Sequence, residues 1–262
     1  MILVCGDSMR DVYWHGDVTR ISPEGPCPVI SVKAVREVEG AAANVAANVK
    51  AMGVEVRTDF GPQDNQVLKL RMVCKNQHLL RADFDYPQNP VESLDLEGVS
   101  VVILVDYGKG ALSKVSTLIQ QAKNAGKTVL VDPKGYDYER YRGADVIKPN
   151  VDEMKVMVGG WKDELDLTRK AQDLCKKAGI GSLLLTRAAD GMSLYTNSGS
   201  KHISAVAKIV SDVTGAGETA IAALGVGLHR GLSLEDSMSL ANKAAGIAVG
   251  RFGPSVVRAD EL

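Results

Sequence analysis

Residues 100–135 read SVVILVDYGKGALSKVSTLIQQAKNAGKTVLVDPKG. The outer parts, SVVILVD and KTVLVDPKG, are continuous apolar runs that each reach an aspartate. Between them LSKVSTLIQQAKNAG carries helical periodicity and stops on Gly126. Buried strand, helix, buried strand in that order predicts a crossover unit of a parallel sheet with helices on both faces. Further on, DVIKPN and SLLLTR extend the strand series, and MSLYTNSGSKHISA reads as a hairpin turning at TNSGS. At the other end, Ile2 to Gly6 forms a short first strand.

The flanks differ in pattern. HGDVTRISPEGPCPVISVKAV and, from Lys69 to Phe84, KLRMVCKNQHLLRADF alternate in strand fashion, and the prolines of the first place it at an edge or in an excursion from the main sheet. EGAAANVAANVKAM, Glu39 to Met52, predicts an alanine-rich helix ended by Gly53. Ser233 with Asp236 forms a capping-box pattern ahead of the last helix. With 262 residues and no evident linker, the expectation is one α/β domain over 1–262.

Lys and Arg number 31 against 32 Asp and Glu, so the net charge of −1 gives no overall field to recruit nucleic acid or an anionic membrane. Cys5, Cys27, Cys74 and Cys175 are scattered without a CxxC pair, and His15, His78, His202 and His229 lack the spacing of a metal clamp, which argues against a disulfide framework and a caged transition metal. The N-terminal MILVCGDSMRD lacks the basic start and length of a signal peptide, and no run approaches the roughly twenty apolar residues of a membrane span. A cytoplasmic protein is the expectation.

In open parallel sheets ligands bind at the carboxyl ends of the strands. Asp7, Asp106, Asp132 with Lys134, and Asn150 all fall there. DVTGAGETAIAALGVGLHRG, from Asp212, then sets a glycine loop at a helix start, where unpaired N–H groups and the helix dipole favour an anion at Gly215, Ala216 and Gly217. GKT at Gly126 is no P-loop, because Gln121 stands where that motif needs glycine and the segment precedes a strand. GAGETA fits a loose dinucleotide pattern but is followed by two helices, not by helix and strand. Donors for a transferring phosphoryl group, a carboxylate at the loop's end and polar groups at strand ends are the parts a small-molecule kinase needs.

DVTGAGE before a small-residue helix resembles the signature of the ribokinase-like (PfkB) carbohydrate kinases, whose loop ends in aspartate. GDSMRDVYWHGDVTRISPEGPCPV, EGAAANVAANV, VDYGKGAL, VDPKGYDYERYRGADVIKPNVDE and LLLTRAADGMSLY resemble the heptose 7-phosphate kinase branch over nearly the whole chain. The resemblance implies a ribokinase-like sandwich with a mostly parallel central sheet, a small β lid from about 12–36 and 66–84, ATP and Mg²⁺ as cofactors, and a homodimer through the lid. It implies phosphorylation of a sugar phosphate, a heptose 7-phosphate at its anomeric hydroxyl to the 1,7-bisphosphate. Glu218 would be the base and Gly215 to Gly217 the anion hole. Asp11, Gly40, Asn44 and Asp106 would face the sugar, and Arg20, Lys69 and Arg71 are candidates for its phosphate. Asn150 and Glu153 match the family's NxxE motif near Mg²⁺, with Glu153 the metal candidate, although the same two residues also read as a plain helix cap. Lys134, Thr186, Gly191, Asp212 and Asn242 would serve the nucleotide.

Two departures from the family stand out. Glu218 replaces aspartate, and its extra methylene moves the carboxylate by about 1.5 Å, where misplacement by ~1 Å can cost a hundredfold in rate. Near residue 62, between GVEVRTDFGPQDN and QVLKLRMVC, a turn, helix and strand of the relatives are missing, which predicts the loss of an edge strand and its covering helix and exposed sheet for a subunit or partner to cover. Both leave a second reading open, a degenerate kinase-like protein that binds nucleotide, sugar phosphate or a partner subunit without turnover. VVRADEL closes the sequence with none of the nucleotidyltransferase domain fused to the kinase in bifunctional relatives.

Overall fold

The apolar runs, the hairpin and one further edge strand form an eight-stranded sheet. In the computed structural model, which describes residues 1–62, 67–75, 77–206, 210–251, 253 and 255–262, these strands are β1 (Ile2–Gly6), β4 (Val56–Asp59), β7 (Val101–Val105), β8 (Thr128–Asp132), β9 (Val146–Ile147), β10 (Ser182–Thr186), β11 (Met192–Thr196) and β12 (Gly199–Ile203). Their order across the sheet is β12-β11-β10-β9-β8-β7-β1-β4, parallel from β4 to β10 and antiparallel from β10 through β11 to β12.

Successive side chains of a strand point to opposite faces, so each fully buried strand feeds two cores. Ile2, Val4, Ile103 and Leu130 pack with helices α1 (Ala42–Ala51), α5 (Ala216–His229) and α6 (Leu234–Ala248). Leu3, Cys5, Leu104 and Val129 face the other way, toward α2 (Val115–Asn124), α3 (Val151–Val158) and α4 (Glu164–Ala178). None of the helices among the described residues is long and apolar enough to cross a membrane.

The alternating flanks form a second, four-stranded sheet in the order β3-β2-β5-β6, with β2 (Ser8–Ile21), β3 (Pro28–Ala41), β5 (Val67–Cys74) and β6 (Gln77–Phe84). The prolines fall as the pattern requires, since Pro28 opens an edge strand. The helix expected from Glu39 begins later, at Ala42, because Glu39, Gly40 and Ala41 are still paired with Arg10, Met9 and Ser8. Pairing with β2 overrides the helix propensity of those alanines.

The shortened connection near residue 62 reaches into 63–66, which lie outside the described residues. Beside it, β4 forms one edge of the main sheet. Cover for the neighbouring face comes from residues 85–99, an irregular segment whose Val91, Leu94 and Val99 belong to the buried cluster of Leu3 and Cys5. That segment is tied down by Val91 N–H to Ala111 O (2.9 Å) and by the two-way bonding of Leu94 with the Gln121 amide (2.9 Å each way).

Candidate active site

A cleft of about 820 Å³ opens between the carboxyl ends of the parallel strands, the start of α5 and one face of the four-stranded sheet. Asp11, Lys69, Arg71, Asp106, Lys134, Asn150, Glu153, Thr186, Gly191, Asn242 and the whole Gly215–Glu218 loop line it. Residues from points as distant as Asp11 and Asn242 thus meet around one space.

The loop opens a helix at the floor of the cleft. Gly215, the N-cap of α5, takes the left-handed conformation (φ 83°), which costs an L-residue roughly 1–2 kcal/mol; no side chain caps the helix, and of its first N–H groups that of Ala216 turns back to Val213 O at 3.3 Å. A Cβ on Gly217 would stand 3.3 Å from Lys148 Nζ, so this glycine lets the backbone approach a buried ammonium. Lys148 in turn lies 3.0 Å from Asp132 Oδ1, and both side chains are almost wholly buried. Burial pushes the Asp132 carboxyl up to about 6 against the pull of Lys148, with Glu153 and Glu218 raising it further. Burial also opposes charge on Lys148, but Asp132, Glu153 and Glu218 outweigh it and raise its pKa, so it stays an ammonium.

Glu218 sits in the first turn of α5, and its Oε1 accepts a 2.6 Å hydrogen bond from the Tyr107 hydroxyl. Burial, then the charge of Glu218, holds the Tyr107 pKa well above the usual phenol value, so the phenol is the donor. Asn150 and Glu153 form a full capping box on α3: Asn150 Oδ1 accepts from Glu153 N (2.9 Å) and Glu153 Oε2 accepts from Asn150 N (3.0 Å). The cap and the cleft position coexist, because Glu153 Oε1 is still free to meet Lys134 Nζ at 3.2 Å. Thr186 bridges to Asn150, and Asn242 Nδ2 donates to Ser204 O at 2.8 Å.

On the sheet side, Arg71 is paired with Asp11 and lies 5.1 Å over the Tyr13 ring. Lys69 lies 5.5 Å over the Tyr107 ring; burial lowers its pKa, against the pull of Asp11. Gly40 is packed on the Asp11 carboxylate, which a Cβ there would strike.

Four expected residues stand apart from the cleft lining. Arg20 is exposed beyond the bulges of β2, opposite Val29. Asn44 is buried within α1, where its Oδ1 accepts from Asn48. Gly40 acts through Asp11, and Asp212 is used by the loop itself. Its carboxylate accepts from Thr214 N, Thr214 Oγ1 and Gly253 N, bonds that outweigh burial and lower its pKa. Asp106 does line the cleft, yet its oxygens are engaged by Gly108 N–H and the Tyr141 hydroxyl.

Tyr107 and Lys148 were absent from the residues that sequence singled out, and Asp132 was placed at a strand end without its partner. Lys148 could be found only by expecting the charge of Asp132 to need a partner; Tyr107 lies 111 positions from Glu218 and carries no such signal. No group of three or more His, Cys, Asp or Glu able to hold a metal occurs among the described residues. The donor set still suits Mg²⁺, which keeps several waters and takes one or two carboxylates together with substrate phosphates.

The geometry agrees with what the chain is similar to. Residues 73–260 match the model of the pfkB family carbohydrate kinases. The Bifunctional protein HldE of Stutzerimonas stutzeri is 42% identical over all of this chain, which spans 62% of that relative's length. The D-beta-D-heptose 7-phosphate kinase of Bordetella bronchiseptica is also 42% identical, over all of this chain and 94% of the relative. The HldE match runs over 296 residues against 262 here, so the relative carries stretches with no counterpart in this chain. Among solved structures, ribokinase from Thermotoga maritima superposes with a TM-score of 0.78 at 20% identity over 99% of this chain and 97% of that one. Phosphofructokinase-2 from Escherichia coli does so with 0.78 at 15% identity over 100% and 96%. These last two establish a ribokinase-like α/β fold, and together with the family match and the whole-chain identities they make this chain a member of the pfkB family of carbohydrate kinases.

Proposed function

We propose that the protein transfers the γ-phosphoryl group of ATP to a sugar phosphate, with a heptose 7-phosphate as acceptor and its anomeric hydroxyl as the site of transfer, giving the 1,7-bisphosphate. The observation that carries this reading is the position of Glu218: a carboxylate in the first turn of α5, beside an uncapped glycine loop, facing the same cleft as Lys69 and Arg71. In this reading Glu218 takes the proton of the acceptor hydroxyl, the N–H groups of Gly215 and Gly217 receive the charge that develops on the transferring group, and Lys148 adds a fixed ammonium behind them. Mg²⁺ bound with the nucleotide would be held by Glu153 and Asp132, and supplies neutralisation of the phosphate charge. Lys134, Thr186, Gly191 and Asn242 line the nucleotide's part of the cleft in this assignment. Lys69 and Arg71 are the cations for the acceptor's phosphate, and the four-stranded sheet is the lid over it.

The same sheet supports a homodimer. Val35, Trp14, Met72 and Leu80 share one row across all four strands, and Arg71 of the adjacent row turns into the cleft, so this row faces outward. Val35 is 56% and Leu80 55% exposed, an apolar face suited to a second copy.

The test is ADP formation from ATP and Mg²⁺ with a panel of sugar phosphates that includes heptose 7-phosphate, with Glu218→Gln as the blank. Turnover dependent on the heptose phosphate and lost in the variant is expected. Binding of ATP or sugar phosphate without turnover would instead establish a kinase-like binding protein.

A further inference from the structure

We infer that Tyr107 is the positioning residue for the base: its hydroxyl holds one oxygen of Glu218 so that the other is presented to the acceptor. This rests on the reading of Glu218 given above and adds a residue to it.

The argument starts at Asp7, which is fully buried and lies between β1 and β2. Its carboxylate makes no ion pair among the described residues; it accepts three backbone N–H groups instead, those of Tyr107 (2.7 Å), Lys109 (3.0 Å) and Ala111 (2.9 Å). A buried carboxylate bound in this way fixes the whole 107–111 turn, and with it the point from which the Tyr107 side chain departs. The ring then runs between two ammonium groups, Lys69 Nζ at 5.5 Å and Lys134 Nζ at 6.0 Å from its centroid. One comes from the four-stranded sheet and the other from the end of β8, so the ring is held from both walls of the cleft.

At the end of this support the hydroxyl meets Glu218 Oε1 at 2.6 Å. A glutamate has one more rotatable bond than an aspartate and needs an external contact to fix its carboxylate. The phenol is that contact. It spends its one proton on Oε1, which leaves Oε2 to accept from a substrate hydroxyl. Shortening Glu218 to aspartate withdraws the carboxylate from the phenol by about one methylene, roughly 1.5 Å, too far for the bond.

The experiment compares the wild-type protein with Tyr107→Phe, Glu218→Asp and the double variant, all full length. Phenylalanine keeps the ring between the two lysines and removes only the donor. Tyr107→Phe is expected to lower kcat about 10- to 100-fold with KM for the sugar phosphate and ATP affinity changed less than twofold. In the Glu218→Asp background the same change is expected to alter kcat less than threefold, since the contact is already gone. A kcat within twofold of wild type in Tyr107→Phe, or an equal loss in both backgrounds, overturns the inference.

A second measurement does not need turnover. In protein labelled with [ζ-¹³C]tyrosine, the signal missing from the Tyr107→Phe spectrum identifies Tyr107, and it is expected to move in Glu218→Gln. A signal that stays put overturns the inference. A signal that moves in a protein without kinase activity shows the contact to be real and the proposed reaction to be wrong.

Discussion

The two walls of the cleft are made of different material. On the strand-end wall, charge is buried and matched: Asp132 with Lys148, Asp7 with three backbone N–H groups, Asp106 with a peptide N–H and a phenol. On the other wall a thin sheet shows Lys69 and Arg71 to the cleft and an apolar row to the outside. The first wall keeps its shape with or without a ligand because moving any of these groups strands a buried charge. The second holds a buried ion pair, Arg71 with Asp11, and its outer row carries exposed side chains whose change touches no buried charge. Fixed dipoles and charges are what phosphoryl transfer requires, whereas a cover over the acceptor must let substrate in and out.

Substitutions on each wall test this contrast. The largest effect is expected from Lys148→Met, which leaves the Asp132 carboxylate buried without its cation. A loss of about 3–5 kcal/mol in urea unfolding is expected, and a loss below 1 kcal/mol would show the strand-end wall to be softer than described. Next is the pH dependence of the same pair. The Asp132 pKa of about 6 lies above its unfolded value, so the folded protein binds this proton more tightly. Its contribution to stability is present in full below the unfolded pKa and is lost as pH rises through about 6. Between pH 5 and 8 the wild-type protein is therefore expected to lose about 1 kcal/mol relative to Asp132→Asn, read from urea midpoints at each pH; parallel pH curves would remove Asp132 as the titrating group. The smallest change in stability is expected on the other wall. Leu80→Asp should shift unfolding by less than about 0.5 kcal/mol in the isolated chain, yet convert a dimer to monomer in sedimentation velocity; an unchanged sedimentation coefficient would leave the outer row without a second copy to cover it.

Much of this was legible before any coordinates. The continuous apolar runs at Val101 and Thr128 specified a parallel sheet because strands buried on both faces have no polar side to show. The glycine loop and Glu218 were legible for a similar reason, since an uncapped helix start needs a partner from outside the chain. What stayed hidden was convergence. Tyr107 is an ordinary aromatic until the fold brings it to Glu218, and Lys148 in DVIKPN looks like a solvated strand end until Asp132 is seen beside it. Arg20 shows the converse: its residue type suited a phosphate, but strand register carries it past the bulge, and it does not line the cleft. The capping box at Asn150 and Glu153 bears out the helix-cap reading, and it uses one carboxylate oxygen while the other meets Lys134 Nζ in the cleft.

The place of β1 in the main sheet also governs how the chain can acquire its structure. Ile2 pairs with Val56 on one side and with Val101 on the other. β1 is thus flanked in the finished sheet by two strands made later than itself, and it keeps an open edge until the chain has been synthesised beyond Val105. Local hairpins such as β2 with β3 can close long before that. Synthesis therefore assembles the thin cover ahead of the framework it will cover, and β1 enters the main sheet only through long-range pairing.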